Sequence, residues 1–342
     1  MPLRRMGDGR EHRVEPTMKT SKQRQPGARL CFEIFRSIRH NDQMSSDSWQ
    51  APVKKNSRLI LTVLMVISMV VWGGSWVSAK VMAGRLTPEV LSFWRFFLSF
   101  VSFVPMLVLL RKPFTVSRAG ALYSVLGAIF ISTYMYFFFR GLEHGLAGAA
   151  GVLVTSMMPF MTLLFMMILF RKKASGRDIA GLVLGMAGAA VLLQLWNFNA
   201  HDLFQSGNLL FVLCSALWAL VTICSQRAAA TISPYFFSFL TYGISTLFFL
   251  PSAFKQGISV VFHEDVLFWV NLIFLAIIST NFATTVYFVA AERLGSYRTS
   301  SFVFLVPASA MLLSWIFLGE VPQPSTIVGG TIAISAVYLI NY

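Results

Sequence analysis

Apolar residues occur along this chain in ten long runs that short polar breaks separate. Each run has roughly 20 residues, the length that a helix needs to cross the hydrocarbon core of a bilayer. The pattern therefore predicts an all-α integral membrane protein with ten transmembrane helices. The predicted spans are approximately 59 to 80, 88 to 110, 119 to 140, 146 to 170, 178 to 196, 207 to 227, 234 to 254, 267 to 290, 297 to 318 and 324 to 341.

The two halves of the chain repeat the same landmarks. Early landmarks pair at an offset of 146 and later ones at 148: Trp72 with Trp218, Pro88 with Pro234, Pro159 with Pro307, and Gly181 with Gly329. Five spans per half is an odd number, so the second half enters the membrane from the opposite side, which predicts two inverted five-helix repeats. We place the first repeat at residues 59–196 and the second at 207–342, after a basic cytoplasmic extension at 1–58.

Composition and charge support a membrane protein and argue against a nucleic-acid partner. Of the 342 residues, 56% are hydrophobic and 12% are charged, far from the usual globular mix. The net charge is +14, but 13 of the 28 Lys and Arg residues precede Leu59 and most others lie in short loops. With the N-terminus inside, 13 basic residues from Lys54 onward fall in or beside the inner loops and four fall on the outer side, which predicts that both termini are cytoplasmic.

The first 58 residues are polar, basic and rich in proline, which predicts a disordered segment. No apolar core follows the early arginines, so the segment is not predicted to be a signal peptide. Two further interpretations stay open. Leu30, Ile34 and Ile38 recur at helical spacing, as in a short helix on an anionic membrane surface. Translation from Met44 would instead leave a compact leader before the first span.

Two aromatic stripes mark the first and sixth spans. Trp72, Trp76 and Lys80 are spaced at i, i+4 and i+8, so they share one helix face. The equivalent stripe in the second half contains Trp218 and Thr222. We predict that these residues bind substrate. The alternative is an interfacial belt of indoles, with the Lys80 ammonium reaching the headgroups.

Arg95 is the one charge well inside a predicted span. A charge within the membrane is costly and is by default a functional hypothesis. On the predicted topology Arg95 and Lys80 both lie toward the outer side, where they would attract a carboxylate or phosphate. A structural arginine that pairs with a helix end is the alternative.

Hydroxyl and amide groups are concentrated in the third and eighth spans. Asn281 and Thr285 share a predicted face, as do Ser132 and Tyr136. We predict that Tyr136, Asn281 and Thr285 hydrogen-bond a small solute. The alternative is that such groups join neighbouring helices, a role that Ser, Thr and Asn often have in membranes.

Paired prolines interrupt the fourth and ninth spans at Pro159 and Pro307. Proline removes a backbone hydrogen bond, and matched interruptions in two repeats indicate a central site, so we predict hinges or cavity walls there. Glycines give the fifth and tenth spans small-residue faces, which favour close packing within the monomer over a dimer seam. A monomer and a homodimer both stay open.

Catalytic and metal-binding patterns are absent from the spans and short loops. Glu89, Glu143, Glu292 and Glu320 lie at predicted helix ends, so no carboxylate is placed as a proton relay, and proton coupling is not established. The spacing of the three cysteines matches neither a disulfide framework nor a metal site. The sequence therefore indicates no metal or organic cofactor and argues against an enzyme.

The chain resembles the drug/metabolite transporter superfamily, specifically bacterial proteins with two EamA-type repeats. The similarity covers residues 59 to 342. It is carried by the Trp72-Gly-Gly-Ser-Trp76 to Lys80 stretch, Pro88 through Trp94-Arg95-Phe96, Pro159, Pro307, Leu318-Gly319-Glu320, and the glycines that open the fifth and tenth spans. One departure is that the glutamate usual after the fourth helix is Lys172 here.

The resemblance implies a central cavity lined by helices one to four and six to nine, in the inner membrane of a bacterium. It also implies alternating access for a small metabolite or drug, often in the outward direction. We therefore predict a secondary transporter and exporter for an amino-acid-like or amphiphilic solute. A membrane-embedded receptor that binds a solute without moving it is the alternative. Proton or solute counter-transport stays open.

Overall fold

The computed structural model describes residues 55–82, 84–109, 116–144, 147–197, 206–318 and 324–342, and these ranges contain helices, turns and no strand. The predicted extension at 1–58 lies outside them, except that the first helix already begins at Lys55. The α-helices are α1 Lys55–Met82, α2 Pro88–Leu109, α3 Arg118–His144, α4 Ala147–Phe170, α5 Gly176–Leu193, α6 Ser206–Ala228, α7 Pro234–Lys255, α8 Val266–Ile273, α9 Thr285–Leu294, α10 Ser296–Ser301, α11 Leu305–Leu318 and α12 Pro324–Asn341.

Tighter or wider helical turns connect some of these helices. A π-helix at Phe274–Thr284 joins α8 directly to α9, so that Val266–Leu294 forms one helical rod of 29 residues. Short 3₁₀ segments lie at Leu195–Asn197, Ile258–His263 and Phe302–Phe304.

Six helices of the described chain are long and apolar enough to cross a membrane. They are Arg58–Ala79, Pro88–Leu109, Arg118–Arg140, Leu209–Ala228, Pro234–Lys255 and Val266–Leu294. Val154–Phe170 and Ile327–Asn341 are apolar but shorter. An all-α, multi-pass membrane protein is thereby confirmed, whereas the count of ten crossings stays a prediction.

Capping residues explain where several helices begin. Pro88 and Pro234 occupy the first turns of α2 and α7, where a missing N–H costs no hydrogen bond. Ser233 caps α7, because its hydroxyl accepts a hydrogen bond from the Phe236 amide at 3.2 Å. Ser175 and Asp178 form a reciprocal capping box at the start of α5. Local sequence therefore specifies where these helices begin, independently of tertiary packing.

The halves interlock through equivalent contacts. Under the sequence repeat, α2 is equivalent to α7 and α5 is equivalent to α12. Each of these helices packs against its own equivalent: α2 against α7, and α5 against α12. The first helix of each half packs into the other half: α1 contacts the π-helix and α11, and α6 contacts α3 and α4. The space between the halves is therefore bounded by helices from both.

Glycine allows a close helix approach between α5 and α12. A Cβ atom added to Gly329 would lie 2.7 Å from the Gly188 carbonyl oxygen, so the two backbones are nearly in contact. A Cβ atom at Gly181 would meet Ile340 of α12 at 2.3 Å. The predicted small-residue faces thus pack against each other within one chain.

Polar contacts hold the N-terminus of α8 to the turn between α1 and α2. Asp265 caps α8, since its Oδ1 accepts hydrogen bonds from the Phe268 amide and from the Arg85 guanidinium, both at 2.8 Å. Glu264 lies 3.5 Å from the same Arg85 nitrogen. The Phe268 amide, followed by Arg85, lowers the pKa of the Asp265 carboxyl.

We expect this cap to make stability depend on acidity. The pKa of Asp265 is lower in the folded protein than the value of about 3.9 in the unfolded chain. The Asp265 carboxylate therefore stabilises the fold at pH values above the unfolded-state pKa, and this stabilisation is lost as the pH falls through the folded-state pKa. Asp265→Asn should keep a capping oxygen and flatten this part of the acid dependence of the melting temperature. Asp265→Ala should also lower the melting temperature at neutral pH. An acid dependence that is identical in Asp265→Asn and the parent protein would contradict this role.

Candidate functional site

A cavity lies between α1, α2, α3, α4, α6, α11 and the π-helix. Together with the open space at its mouth, its empty volume is about 800 Å³. Its described walls are mainly apolar, and six of the lining residues are aromatic: Trp72, Trp76, Tyr134, Phe138, Phe139 and Trp218. The cavity is therefore shaped for a solute with a substantial apolar part.

Aromatic rings from both halves meet at one end of this cavity. The Trp72 and Trp218 ring centroids are 5.2 Å apart in an edge-to-face arrangement, and Tyr287 lies 5.0 Å from Trp72. Tyr134 packs against Trp218 at 5.1 Å. The Tyr287 hydroxyl lies 3.1 Å from the Thr222 hydroxyl, which holds that ring in place. We call Trp72, Tyr134, Trp218 and Tyr287 the aromatic floor.

Arg95 brings the one positive charge among the described residues that line the cavity. Its Nε donates a hydrogen bond to the Thr280 hydroxyl at 3.0 Å. That hydroxyl donates in turn to the Leu275 carbonyl oxygen at 2.8 Å, so its lone pair points at the guanidinium. The described lining residues include no carboxylate. The cavity thus presents a fixed cation without a lining counter-ion.

The π-helix supplies the partner of Arg95. Its wider turn allows hydroxyls to reach the carbonyl five residues back, from Thr280 to Leu275 and from Thr284 to Ser279. Such segments are frequent at functional sites.

Three neighbouring helices hold the π-helix through its carbonyl oxygens. Ser99 of α2 donates to the Ala276 oxygen at 3.0 Å, and Tyr242 of α7 donates to the Thr280 oxygen at 3.0 Å. The Trp72 indole makes a longer contact of 3.4 Å with the Ser279 oxygen. Hydrogen bonds from several sides therefore stabilise the π-helix, in addition to its local sequence propensity.

Four of the predicted site residues come together at the cavity: Trp72, Trp76, Arg95 and Trp218. Thr222 does not line the cavity; it lies one turn along α6 from Trp218, and its hydroxyl contacts the Tyr287 hydroxyl of the aromatic floor. Pro159 and Pro307 are buried beside two lining residues, Met158 and Val306. Lys80 belongs to α1, but its side chain lies outside the described part of the structure.

Three other predicted site residues do not line the cavity. Asn281 points to α2, where its Nδ2 donates to the Ser99 carbonyl at 3.0 Å and to the Ser102 hydroxyl at 2.8 Å. Thr285 bonds the Ser238 hydroxyl of α7 at 3.2 Å. Tyr136 is 38% exposed. For Asn281 and Thr285 the contacts match the alternative of joining neighbouring helices.

Three groups at the cavity were not singled out from the sequence as site residues: Tyr134, Ser92 and Ser279. Tyr134 stands two positions before Tyr136 and faces the cavity instead. Ser92 lies one turn before Arg95, and Ser279 lies next to Thr280. Ser92 carried no sequence signal, because serine is common in membrane helices.

The described lining residues of the cavity include no His, Cys, Asp or Glu. No group of three or more His, Cys, Asp and Glu side chains lies together within the described ranges. Cys214 and Cys224 are buried and unbridged, and the Cys214 thiol contacts the Tyr134 carbonyl at 3.5 Å.

Membrane transporters are often built from two helical repeats around a central site, and the halves of this chain interlock around a cavity. The EamA-like transporter family model matches the chain twice, at residues 59–194 and 205–342. The chain belongs to the EamA-like transporter family. It is therefore a multi-pass membrane transporter of a small molecule, and this membership indicates a transporter rather than an enzyme.

Several curated relatives bear transporter names. An "Uncharacterized transporter" of Archaeoglobus fulgidus is 27% identical over 81% of this chain and 96% of its own length. A "Probable amino-acid metabolite efflux pump" of Escherichia coli is 23% identical over 81% of this chain and 93% of its own length. A "Probable terminal-alkyne amino-acid exporter" of Streptantibioticus cattleyicolor is 22% identical over 81% of this chain and 92% of its own length.

The fold is also found among solved structures. One crystal structure superposes with a TM-score of 0.65 at 17% sequence identity, covering 83% of this chain and 98% of the other. At this identity the likeness concerns the fold alone.

Proposed function

We propose that the protein is a secondary transporter that exports a small amino-acid-like metabolite or drug by alternating access. The observation that carries the proposal is the cavity built from both repeats, with aromatic walls and the single cation Arg95. Relatives named as exporters of amino acids or their metabolites support the same class of solute and the outward direction.

The proposed architecture has ten membrane helices in two inverted repeats, with both termini in the cytoplasm of a bacterial cell. Under this topology the cavity lies in the outer half, because its lining comes from the end of α1 and the beginning of α2. The aromatic floor would separate it from the cytoplasmic side. Equivalent packing of α2–α7 and α5–α12 supports a rocking motion in which the halves exchange roles.

Within this transporter we assign substrate contact to Trp72, Trp76, Arg95 and Trp218. Pro159 and Pro307 lie where bending of α4 and α11 would reshape the cavity wall, so they are proposed as hinges. Proton or solute counter-transport, and a monomer or homodimer, are compatible with this scheme.

Flux through purified protein tests the proposal. Proteoliposomes that hold unlabelled solute inside should accumulate the labelled solute by exchange, for at least one of phenylalanine, leucine, threonine and phenylacetate. Protein-free liposomes and Trp72→Ala proteoliposomes should not, because the variant removes the contact between the repeats in the aromatic floor. Saturable binding of a panel member without exchange would instead identify a membrane receptor.

A further inference from the structure

The guanidinium of Arg95 is only partly occupied by its neighbours. Its Nε bonds Thr280, while its two terminal nitrogens make no hydrogen bond to any described residue. Each terminal nitrogen carries two N–H donors, so the group lines the cavity with unused donors.

Two buried hydroxyls beside Arg95 are also without partners. The side-chain hydroxyl oxygens of Ser92 and Ser279 make no hydrogen bond within the described structure, although each residue is only 1% exposed and lines the cavity. Buried polar groups are nearly always bonded, so each of these deserves an explanation. Ser92 is one helical turn from Arg95 on α2, and Ser279 adjoins the Thr280 that Arg95 bonds. The three groups therefore converge on one side of the cavity.

We propose that Arg95, Ser92 and Ser279 form a carboxylate subsite, and that the cavity selects organic monoanions with an apolar body over cations of the same shape. This inference deepens the proposed function, since it names the substrate class of the same cavity. The planar guanidinium matches the two oxygens of a carboxylate, and hydroxyl donors complete their hydrogen bonding.

The charge of the cavity selects a monoanion. One guanidinium balances one negative charge, whereas a phosphate monoester brings nearly two at neutral pH. An ammonium group would meet Arg95 without a described lining carboxylate to compensate for it. The aromatic walls accept the apolar body, as they would for phenylacetate.

Equilibrium binding to the purified full chain tests the subsite with three probes of one shape. Phenylacetate is anionic, phenylacetamide is neutral and phenethylamine is cationic at pH 7.5. Quenching of tryptophan fluorescence, checked by calorimetry, gives each dissociation constant. We expect phenylacetate to bind about 30-fold more tightly than phenethylamine, because hydrogen bonds to charged groups are the strong ones.

The same panel applied to variants separates charge from shape. Arg95→Gln should weaken phenylacetate binding by about 30-fold and leave phenylacetamide within about threefold, because only the charge-assisted bonds are lost. Arg95→Lys should retain part of the preference for the anion, since the charge stays while the fork geometry is lost. Ser279→Ala should weaken phenylacetate severalfold. Arg85→Gln is the matched control, because Arg85 lies outside the cavity and pairs with Asp265.

The outcomes are decisive in each direction. Equal binding of phenylacetate and phenethylamine, no binding of phenylacetate at 10 mM on the scale of weak ligands, or an unchanged preference in Arg95→Gln overturns the subsite. If Arg95→Gln does not fold, an unchanged preference for phenylacetate in both Arg95→Lys and Ser279→Ala overturns the subsite. Anion-selective binding without solute exchange would retain the subsite and refute transport. Solute exchange that prefers phenethylamine would retain transport and refute the subsite.

Discussion

Replacing Gly329 by valine is expected to abolish accumulation of the folded protein. A Cβ atom there would lie 2.7 Å from the Gly188 carbonyl oxygen and 2.9 Å from the Leu192 backbone nitrogen. Both are helix backbone atoms that cannot rotate away, so α5 and α12 must separate. Overpacking typically costs about 1 to 3 kcal/mol, and valine adds two methyl groups beyond the first clash. Size-exclusion profiles and melting temperatures of the detergent-purified protein measure the effect.

Gly330 provides the matched control one position away. A Cβ atom there would meet only the Ala308 side chain at 3.4 Å, an ordinary contact. Gly330→Ala should therefore leave the protein folded, and the higher helix propensity of alanine favours it by up to about 1 kcal/mol. If Gly329→Val folds with an unchanged melting temperature, the close α5–α12 crossing is not needed for stability.

Replacing Trp218 by alanine is expected to remove saturable transport, with a loss of at least about 100-fold in kcat/KM. The indole joins Trp72 and Tyr134 in the aromatic floor at 5.2 and 5.1 Å. Because Trp218 lines the cavity, its deletion enlarges the cavity and removes these ring contacts, and truncating a buried tryptophan costs about 3 to 5 kcal/mol. Solute exchange in proteoliposomes, with whichever panel solute the parent protein exchanges, measures the loss.

Two variants distinguish loss of the floor from loss of folding. Trp218→Phe keeps an aromatic ring and should retain transport within about tenfold, since an aromatic contact contributes about 1 kcal/mol beyond buried area. Trp315→Ala removes an indole of α11 that is 48% exposed and lies outside the cavity, so transport should be unchanged. Trp218→Ala that transports like the parent protein would show that the floor does not contact the solute.

Much of the site could be predicted from residue type and spacing. Trp72 and Trp218 occupy equivalent places in the repeats, and the structure brings their rings into contact. Arg95 was conspicuous as a charge within a span, and it lines the cavity. These residues reach the cavity because the cost of placing indoles and charges in a bilayer leaves few alternative positions, and their binding of substrate stays a prediction.

Other site residues were not predictable because local geometry decides their direction. Asn281 and Thr285 are four apart and share a face in a regular α-helix, but the π-helix that ends at Thr284 changes the register between them. Asn281 accordingly bonds α2 and Thr285 bonds α7. Similarly, nothing in the sequence distinguishes Tyr134, which lines the cavity, from Tyr136, which is 38% exposed and does not line it.

The unbalanced guanidinium of Arg95 has an electrical consequence for the transport cycle. In the proposed transporter, the empty site carries one positive charge, and the site loaded with a monoanion is neutral. A membrane voltage acts on a moving charge with about 2.3 kcal/mol per 100 mV, scaled by the fraction of the field that is crossed. An inside-negative voltage would therefore leave the loaded step unaffected and draw the empty site back toward the cytoplasm, so that the voltage of the cell resets the carrier for the next solute.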